Sequence, residues 1–282
     1  MSTRINHNIL SMTAQRNIWR TQNDLDNSLT KLSSGLRINN SWDDPAGLAV
    51  SERFRAQIDS MTEAERNANY NVNLLATAEG ALSVIDEKLI RMRALSIQAS
   101  NGALTSLDRA ALNVEFNQLK SEITRIASTT NYNGLNLIDG TYSTGGSTPS
   151  GVKFHIGTYN TADQDYYYVQ IGNMTSSGLG ISSLTLADTA TAQAAITTLD
   201  TAIDTKDNER TRIGSYVSRL QTTIMNLQVG KEQATASESQ IRDADVAAEM
   251  SEFVRAQILM QTGISMLAQA NQVPQIVAGL VG

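Results

Sequence analysis

The sequence predicts a mainly α-helical protein, an elongated antiparallel helical bundle or coiled coil with a small β-hairpin region. Apolar residues recur at three- and four-residue spacing over most of the 282 residues, as in helices that pack along a narrow seam. Hydrophobic residues make up 41% of the chain but aromatic ones only 5%, which suits such seams better than a thick globular core. One later segment alternates apolar and polar residues and predicts the hairpin.

The first predicted helix, residues 1–34, carries apolar side chains in two rows of seven-residue spacing. One row is Ile5, Met12 and Trp19, and the other is Ile18, Leu25 and Leu32, joined by Leu29. A repeat of this length predicts a seam against another helix.

A connector is predicted at residues 35–45, where the helical pattern breaks. Gly35 suits the position just beyond a helix end, while Asp44 and Pro45 suit the N-cap and first residue of the next helix. Asp43 adds negative charge at the positive end of that helix dipole. Trp42 is either an anchor against a neighbouring element or a partly exposed loop aromatic.

Two helices are predicted within residues 46–140. The first runs from Pro45 to about Ser100 with no further proline, and ends at the "SNG" turn. At 1.5 Å per residue it would be roughly 80 Å long. The second covers about 106–130 and closes at "NYNG".

Residues 141–188 are rich in Gly, Ser and Thr and contain the predicted hairpin. Apolar residues alternate at 152–156 and again at 167–171, and "TYNTADQD" joins the two runs. Asp163 and Asp165 in this turn are too few to form a hard-cation site, so we expect a solvated turn.

Helix resumes at residues 189–235 and is expected to lie against the long second helix. In the last segment, 236–282, a helix of about residues 243–270 carries apolar residues seven apart before "NQVPQ" stops it. This row is Val246, Phe253, Met260 and Leu267.

Composition argues against several classes of function. The net charge of −6 and the absence of a Lys/Arg cluster disfavour nucleic-acid binding. There is no cysteine, no recognisable signal peptide and no apolar run long enough to span a bilayer. The two histidines, His7 and His155, accompany no nucleophile or metal-binding motif, so we expect no catalytic residue, no metal, no cofactor and no enzyme activity.

Amphipathic helices at both ends predict a subunit that assembles through its termini. Such helices gain little by folding alone and are expected to order on association. A head-to-tail contact that does not close produces an open assembly.

Several stretches of the sequence resemble bacterial flagellin over nearly the whole chain. They are "LSSGLRIN", "DDPAGLAVSERFRAQI", "MRALSIQASNG", "NYNGLNLIDG" and "RAQILMQTGISMLAQANQVPQ". The resemblance implies a structural subunit of the flagellar filament used for motility, in a minimal form with only inner-tube and shell domains. The terminal rows of apolar residues would then build the inner tube, and residues 35–45 would connect it to the shell.

The resemblance also implies a location and partners. Flagellin-like export proceeds unfolded through a type III secretion apparatus, with a chaperone on the C-terminal helix, to an extracellular flagellar filament of many copies with cap and hook-associated proteins. Positions matching a surface read by a host Toll-like receptor are Arg91, Leu95 and Glu115, although ordinary lattice contacts are the alternative.

Two other interpretations also fit the sequence. A hook-associated junction protein is a related alternative, because "DDP" also occurs in that branch. A membrane-active protein is a third, although the polar faces of the terminal helices carry too few lysines for anionic lipid.

Overall fold

A computed structural model describes residues 7–143 and 151–281, with side chains described as far as residue 272. These residues form five helices and two antiparallel two-stranded sheets, which confirms the mainly α-helical class with a small hairpin region. The elements are α1 (Ile9–Ser34), α2 (Pro45–Ala99), α3 (Ser106–Thr129), β1 (Asn131–Tyr132), β2 (Leu135–Asn136), β3 (Val152–His155), β4 (Tyr166–Val169), α4 (Thr189–Arg242) and α5 (Val246–Val281).

The chain divides into two compact units. The central unit is Asp59–Lys231, and the terminal unit comprises the described residues up to Ile58 and from Glu232 onward. The terminal unit therefore contains α1, α5, the first residues of α2 and the last residues of α4.

The core of the central unit is built along α2, α3 and α4 and is closed by the hairpin β3–β4. Positions three and four residues apart on each helix are fully buried, as the apolar periodicity predicts. The largest buried apolar side chains include Leu75, Leu82, Ile85, Leu89, Met92, Phe116, Ile123 and Phe154.

Ion pairs fix α2 and α4 in an antiparallel register, which confirms that the two predicted segments pack together. Partners further along α2 pair with residues earlier in α4, as an antiparallel arrangement requires. The pairs are Glu65–Lys231 (2.8 Å), Glu79–Arg210 (2.6 Å), Asp86–Lys206 (2.5 Å) and Arg93–Asp200 (2.5 Å).

Lys206 occupies a core position on α4 rather than a polar break in the seam. Its side chain is 2% exposed, and its ammonium lies 2.5 Å from the Asp86 carboxylate and 2.6 Å from that of Asp207. The methylene stem packs within the seam while the ammonium reaches carboxylates that contact solvent.

Two short hairpins follow α3. The first, β1–β2, turns at "NYNG", where Asn133 and Gly134 both have positive φ, as a type I′ turn requires. The sequence pattern predicts only a helix end here. The second, β3–β4, is the predicted hairpin and pairs Val152 with Val169 and His155 with Tyr166.

The turn of the second hairpin is exposed at residues 159–164, as predicted, but Asp165 departs from the prediction because it is buried and organises the turn. Asp165 is buried, and its carboxylate accepts hydrogen bonds from the backbone N–H groups of Tyr159 (3.1 Å) and Thr161 (2.9 Å). The backbone hydrogen bond from Thr161 lowers the pKa of the Asp165 carboxyl. Asp163 is exposed and adopts a left-handed φ of 64°.

Two substitutions of Lys206 separate the packing of its stem from its charge. Lys206→Ala should lower the free energy of unfolding by about 3 kcal/mol, because it leaves a cavity and two unpaired carboxylates. Lys206→Met should cost only about 1 kcal/mol, because the stem is retained and both carboxylates reach water. Urea unfolding followed by circular dichroism measures both values, and equal losses would show that packing of the stem is unimportant.

Asp165→Asn should destabilise the protein in a pH-dependent way. The pKa of Asp165 is lower in the folded state, so its stabilising effect is present above the unfolded pKa of about 3.9 and is lost as the pH falls through the folded pKa. The melting temperatures of wild type and variant should therefore differ at pH 7, and the difference should shrink as the pH falls through the folded pKa of Asp165. Asp163→Asn is the control and should differ little from wild type at any pH, since Asn tolerates a left-handed φ.

Candidate assembly surface

Helices α1 and α5 of the terminal unit pack against each other in antiparallel orientation. Near one end of the contact the Asn8 side-chain amide donates to the Ala270 carbonyl (2.8 Å), and near the other the Lys31 ammonium lies 3.6 Å from the Glu249 carboxylate. Between them the backbone of Gly263 comes so close to Ile18 that an added Cβ would lie 3.0 Å from its Cγ1 atom.

Many of the side chains that face the other helix are small or polar. On α1 the less exposed positions are Ser11, Ala14, Ile18, Thr21, Leu25, Ser28 and Leu32. On α5 they are Glu249, Phe253, Ala256, Met260, Gly263, Leu267 and Ala270. Small residues allow the helices to approach closely but bury little apolar area.

Other large apolar side chains of the two helices point away from the contact; we call them the outward apolar surface. Those of α1 are Ile9, Leu10, Met12, Trp19 and Leu29, and those of α5 are Val246, Met250, Val254, Ile258, Leu259, Ile264 and Met266. Trp19 is 67% exposed and Met266 is 65% exposed. Contiguous exposed apolar surface of this kind marks an interaction site.

Helix α5 is apolar on more than one side. Its only charged residues are Glu249, Glu252 and Arg255, and none follows between 256 and 281. Uncharged polar residues after Arg255, including Gln257, Gln261 and Ser265, are interspersed with large exposed apolar side chains, so the exposed sides of this helix are only weakly polar. Among the described side chains of α5, Ile258, Leu259, Ile264 and Met266 stay exposed in the single chain.

The predicted inner-tube residues fall on both sides of the helix pair. Six face the contact within the chain: Ile18, Leu25, Leu32, Phe253, Met260 and Leu267. Four are exposed: Met12, Trp19, Leu29 and Val246. Ile5 lies outside the described residues.

Sequence reasoning missed much of the outward surface on α5, including Met250, Ile258, Leu259, Ile264 and Met266. A search for one seven-residue row finds one side of a helix only. The absence of charge after Arg255 was the signal that could have found the rest. The predicted stop at "NQVPQ" was also wrong, since α5 continues past Pro274 to Val281.

The connector between α1 and α2 has the predicted helix caps. Gly35 adopts a left-handed φ of 71° and its N–H donates to the Lys31 carbonyl. The Asp44 carboxylate accepts from the Gly47 N–H at 2.9 Å, and Pro45 is the first residue of α2.

Two other connector residues behave differently from expectation. The Asp43 carboxylate accepts from the N–H groups of Asn39 (3.0 Å) and Asn40 (2.9 Å), so it closes the connector turn. Trp42 is 77% exposed, so the anchor alternative is wrong for the single chain and the exposed alternative applies.

The connector is bonded to the break between α4 and α5. The Arg37 N–H donates to the Arg242 carbonyl (2.7 Å), and the Ala244 N–H donates to the Gly35 carbonyl (2.9 Å). The Arg242 guanidinium lies 2.9 Å from the Glu52 carboxylate, and this hydrogen bond lowers the pKa of Glu52. The connector and the break between α4 and α5 are therefore joined by backbone hydrogen bonds.

The sequence matches a known protein family in both its N-terminal and its C-terminal part. Residues 5–143 match the bacterial flagellin N-terminal helical region, and residues 196–281 match the bacterial flagellin C-terminal helical region. The chain is also 41% identical over 286 residues to the flagellar filament 33 kDa core protein of Treponema phagedenis, covering 98% of this chain and 99% of the relative. The chain belongs to the bacterial flagellin family.

Two further comparisons agree with this assignment. A flagellin of Halalkalibacterium halodurans is 41% identical over 277 residues, with 98% of this chain and 99% of that relative covered. A solved structure from Vibrio parahaemolyticus, described as a flagellar hook-associated protein, covers 71% of this chain and 100% of its own at a TM-score of 0.59. Its identity is only 16%, so it supports the fold alone.

Membership in the flagellin family confirms the predicted function. The chain is a structural subunit of the extracellular flagellar filament and not an enzyme, and it lacks the large outer domains of longer flagellins. Full-length similarity to filament proteins disfavours the hook-associated alternative.

Within this flagellin, the positions predicted for receptor recognition are not equally exposed. The Arg91 guanidinium pairs with the Glu115 carboxylate at 2.7 Å on the surface of α2 and α3. This hydrogen bond raises the pKa of Arg91 and lowers the pKa of Glu115, so it favours the charged form of both groups. Leu95 is only 1% exposed because it faces the core, so its predicted place in an exposed patch is wrong.

The described part of this flagellin shows no cluster of metal ligands. Between residues 7 and 143 and between 151 and 272, no group of three His, Cys, Asp or Glu side chains could hold a metal ion. Among the described helices, none is long and apolar enough to cross a membrane.

Asp44→Ala tests the connector cap. Loss of the side-chain acceptor for the Gly47 N–H should lower the stability of the helix start by about 1 kcal/mol. Asp24→Ala is a suitable control, because Asp24 is an exposed carboxylate inside α1 that forms no hydrogen bond with a described residue. Thermal unfolding by circular dichroism compares the two, and equal melting temperatures would contradict a capping role for Asp44.

Proposed function

We propose that this flagellin polymerises through the outward apolar surface of α1 and α5. In the filament this surface would contact the same surface on other copies of the chain. The observation that supports this most strongly is the exposure of α5 on sides that carry no charge. In water such a helix leaves several large side chains unburied, whereas neighbouring copies could bury them all.

A second copy fits this surface better than an unrelated partner. Beyond Arg255 the surface offers no charge pattern for recognising a differently charged protein, since the rest of α5 has no charged residue. Each copy contributes the same apolar helices, and open contacts between identical subunits propagate into a filament.

The exposed residues of the predicted inner-tube set are proposed as contacts between subunits: Met12, Trp19, Leu29 and Val246. The less exposed ones are proposed to hold α1 and α5 together: Ile18, Leu25, Leu32, Phe253, Met260 and Leu267. The connector residues Gly35, Asp43, Asp44 and Pro45 set the path of the chain at the junction. The exposed indole of Trp42 is a further proposed contact between copies.

Other partners follow from the same exposed surface. Before assembly the apolar side of α5 needs protection from water, and an export chaperone that covers it would supply this. Delivery through a type III apparatus and contacts with cap and hook-associated proteins belong to the same proposal. A Toll-like receptor that reads Arg91 and Glu115 would have to compete with the ion pair between them.

Ile258→Asn tests assembly through this surface. Ile258 is 56% exposed in the single chain, so monomer folding should change little. If neighbouring copies bury this side chain, the substitution removes about 2 kcal/mol per subunit and should raise the critical concentration for polymerisation about 30-fold. Sedimentation of filaments over a concentration series measures that value.

The matched control is Gln257→Asn, one residue away and also exposed. It introduces the same side chain with a similar loss of helix propensity but removes no large apolar group. Its critical concentration should stay close to that of wild type. Equal critical concentrations for Ile258→Asn and wild type would contradict the proposal, and electron microscopy should show long filaments for wild type.

A further inference from the structure

The hairpin β3–β4 has an outer face that neither the fold nor assembly through α1 and α5 explains. Its inner face is buried, with Phe154, Tyr167 and Val169 in the core of the central unit. Two cross-strand pairs occupy the other face: Lys153 opposite Tyr168, and His155 opposite Tyr166.

These four side chains contact one another in a defined arrangement. The Lys153 ammonium lies 3.7 Å from the centroid of the Tyr166 ring, a cation–π contact. The His155 ring stacks on the Tyr166 ring at 5.9 Å between centroids and an angle of 15°. The Tyr168 ring stands edge-on to Tyr166 at 6.1 Å and is 48% exposed.

The polar atoms of this outer face are free to bind a ligand. None of the four side chains forms a hydrogen bond with another described residue. The face carries no carboxylate, although the whole chain has a net charge of −6. The nearby Asp165 carboxylate accepts hydrogen bonds from the backbone N–H groups of Tyr159 and Thr161, and it also interacts electrostatically with His155.

We propose that this outer face binds an acidic polysaccharide and contacts one or two of its sugar units. The exposed Tyr168 ring can stack on the apolar face of a sugar ring, and the Lys153 ammonium, which lies over Tyr166, can pair with a sugar carboxylate. The tyrosine hydroxyls and the His155 ring nitrogens can exchange hydrogen bonds with sugar hydroxyls. Adjacent strands about 4.8 Å apart and alternate residues about 7 Å apart give an area that matches one or two sugar rings.

Other anionic partners fit the outer face less well. Nucleic-acid binding depends on several Lys or Arg contacts to phosphates, and this face has one permanent cation. A lipid surface requires exposed aliphatic or indole groups together with several cations, and the face carries only tyrosines as apolar groups.

The site is small, so one copy should bind weakly. A filament repeats the outer face once per subunit, and many weak contacts along one polymer raise the overall affinity without any new interaction. Binding by the single chain does not depend on polymerisation, so failure of assembly and failure of glycan binding can be told apart.

The test measures binding of full-length monomer and of filaments to immobilised polygalacturonate, with dextran as the neutral polysaccharide. Lys153→Gln and Tyr168→Ser should each weaken monomer binding about three- to tenfold. Lys153→Arg should keep most of it because the positive charge is retained. The melting temperature of each variant checks that the hairpin remains folded.

The matched controls change the same residue types elsewhere in the central unit. Lys88→Gln removes a lysine from α2, and Tyr159→Ser removes a tyrosine that is 69% exposed in the hairpin loop. Both should bind polygalacturonate like wild type. Equal binding to dextran, unchanged binding by Lys153→Gln and Tyr168→Ser, or stronger binding of duplex DNA or anionic vesicles through the same residues would overturn the proposal.

Discussion

The contact between α1 and α5 constrains everything else in the terminal unit. It is made largely by small, polar or half-buried residues, among them Ser28, Ala256 and Gly263, which bring two helix backbones close together. Many large apolar side chains, such as Trp19 and Ile258, remain outside this contact. A single chain therefore satisfies the geometry of the helix pair without burying most of its apolar surface, and the free energy of that burial becomes available to assembly.

The central unit, in contrast, buries its large apolar side chains within the single chain. Leu82, Leu89 and Phe116 are inaccessible to solvent, and the ion pairs between α2 and α4 select one register among the several that a regular apolar repeat would allow. Lys206 is the clearest case, since an ammonium at a core position is stable only opposite its carboxylates. One unit thus carries its stability within the chain, while the other exposes apolar surface to neighbouring copies.

Local signals in the sequence predicted the features that depend on neighbouring residues. Gly35, Asp44 and Pro45 were correctly read as the end of one helix and the start of the next, because caps are set by backbone geometry within a few residues. The alternation at 152–156 and 167–171 likewise predicted the hairpin.

Predictions failed where the outcome depended on distant parts of the chain. Leu95 is buried because α2 turns that side toward the core, and Trp42 is exposed because no element of the single chain reaches it. Asp165 looked like a solvated turn residue, but the hairpin loop folds back so that its N–H groups reach the carboxylate. A seven-residue repeat alone did not show whether Ile18 or Trp19 faces the partner helix, since the two side chains differ by about 100° around the axis.

Amide hydrogen exchange, compared between monomer and filament, tests most directly whether the terminal unit completes its burial in the assembly. Exchange in α1 and in the charge-free part of α5 should be fast in the monomer and strongly slowed in the filament, while core amides near Leu82 should be protected in both states. Equal protection of α1 and α5 in the two states would show that these helices need no neighbouring copy and would contradict assembly through their outward surface.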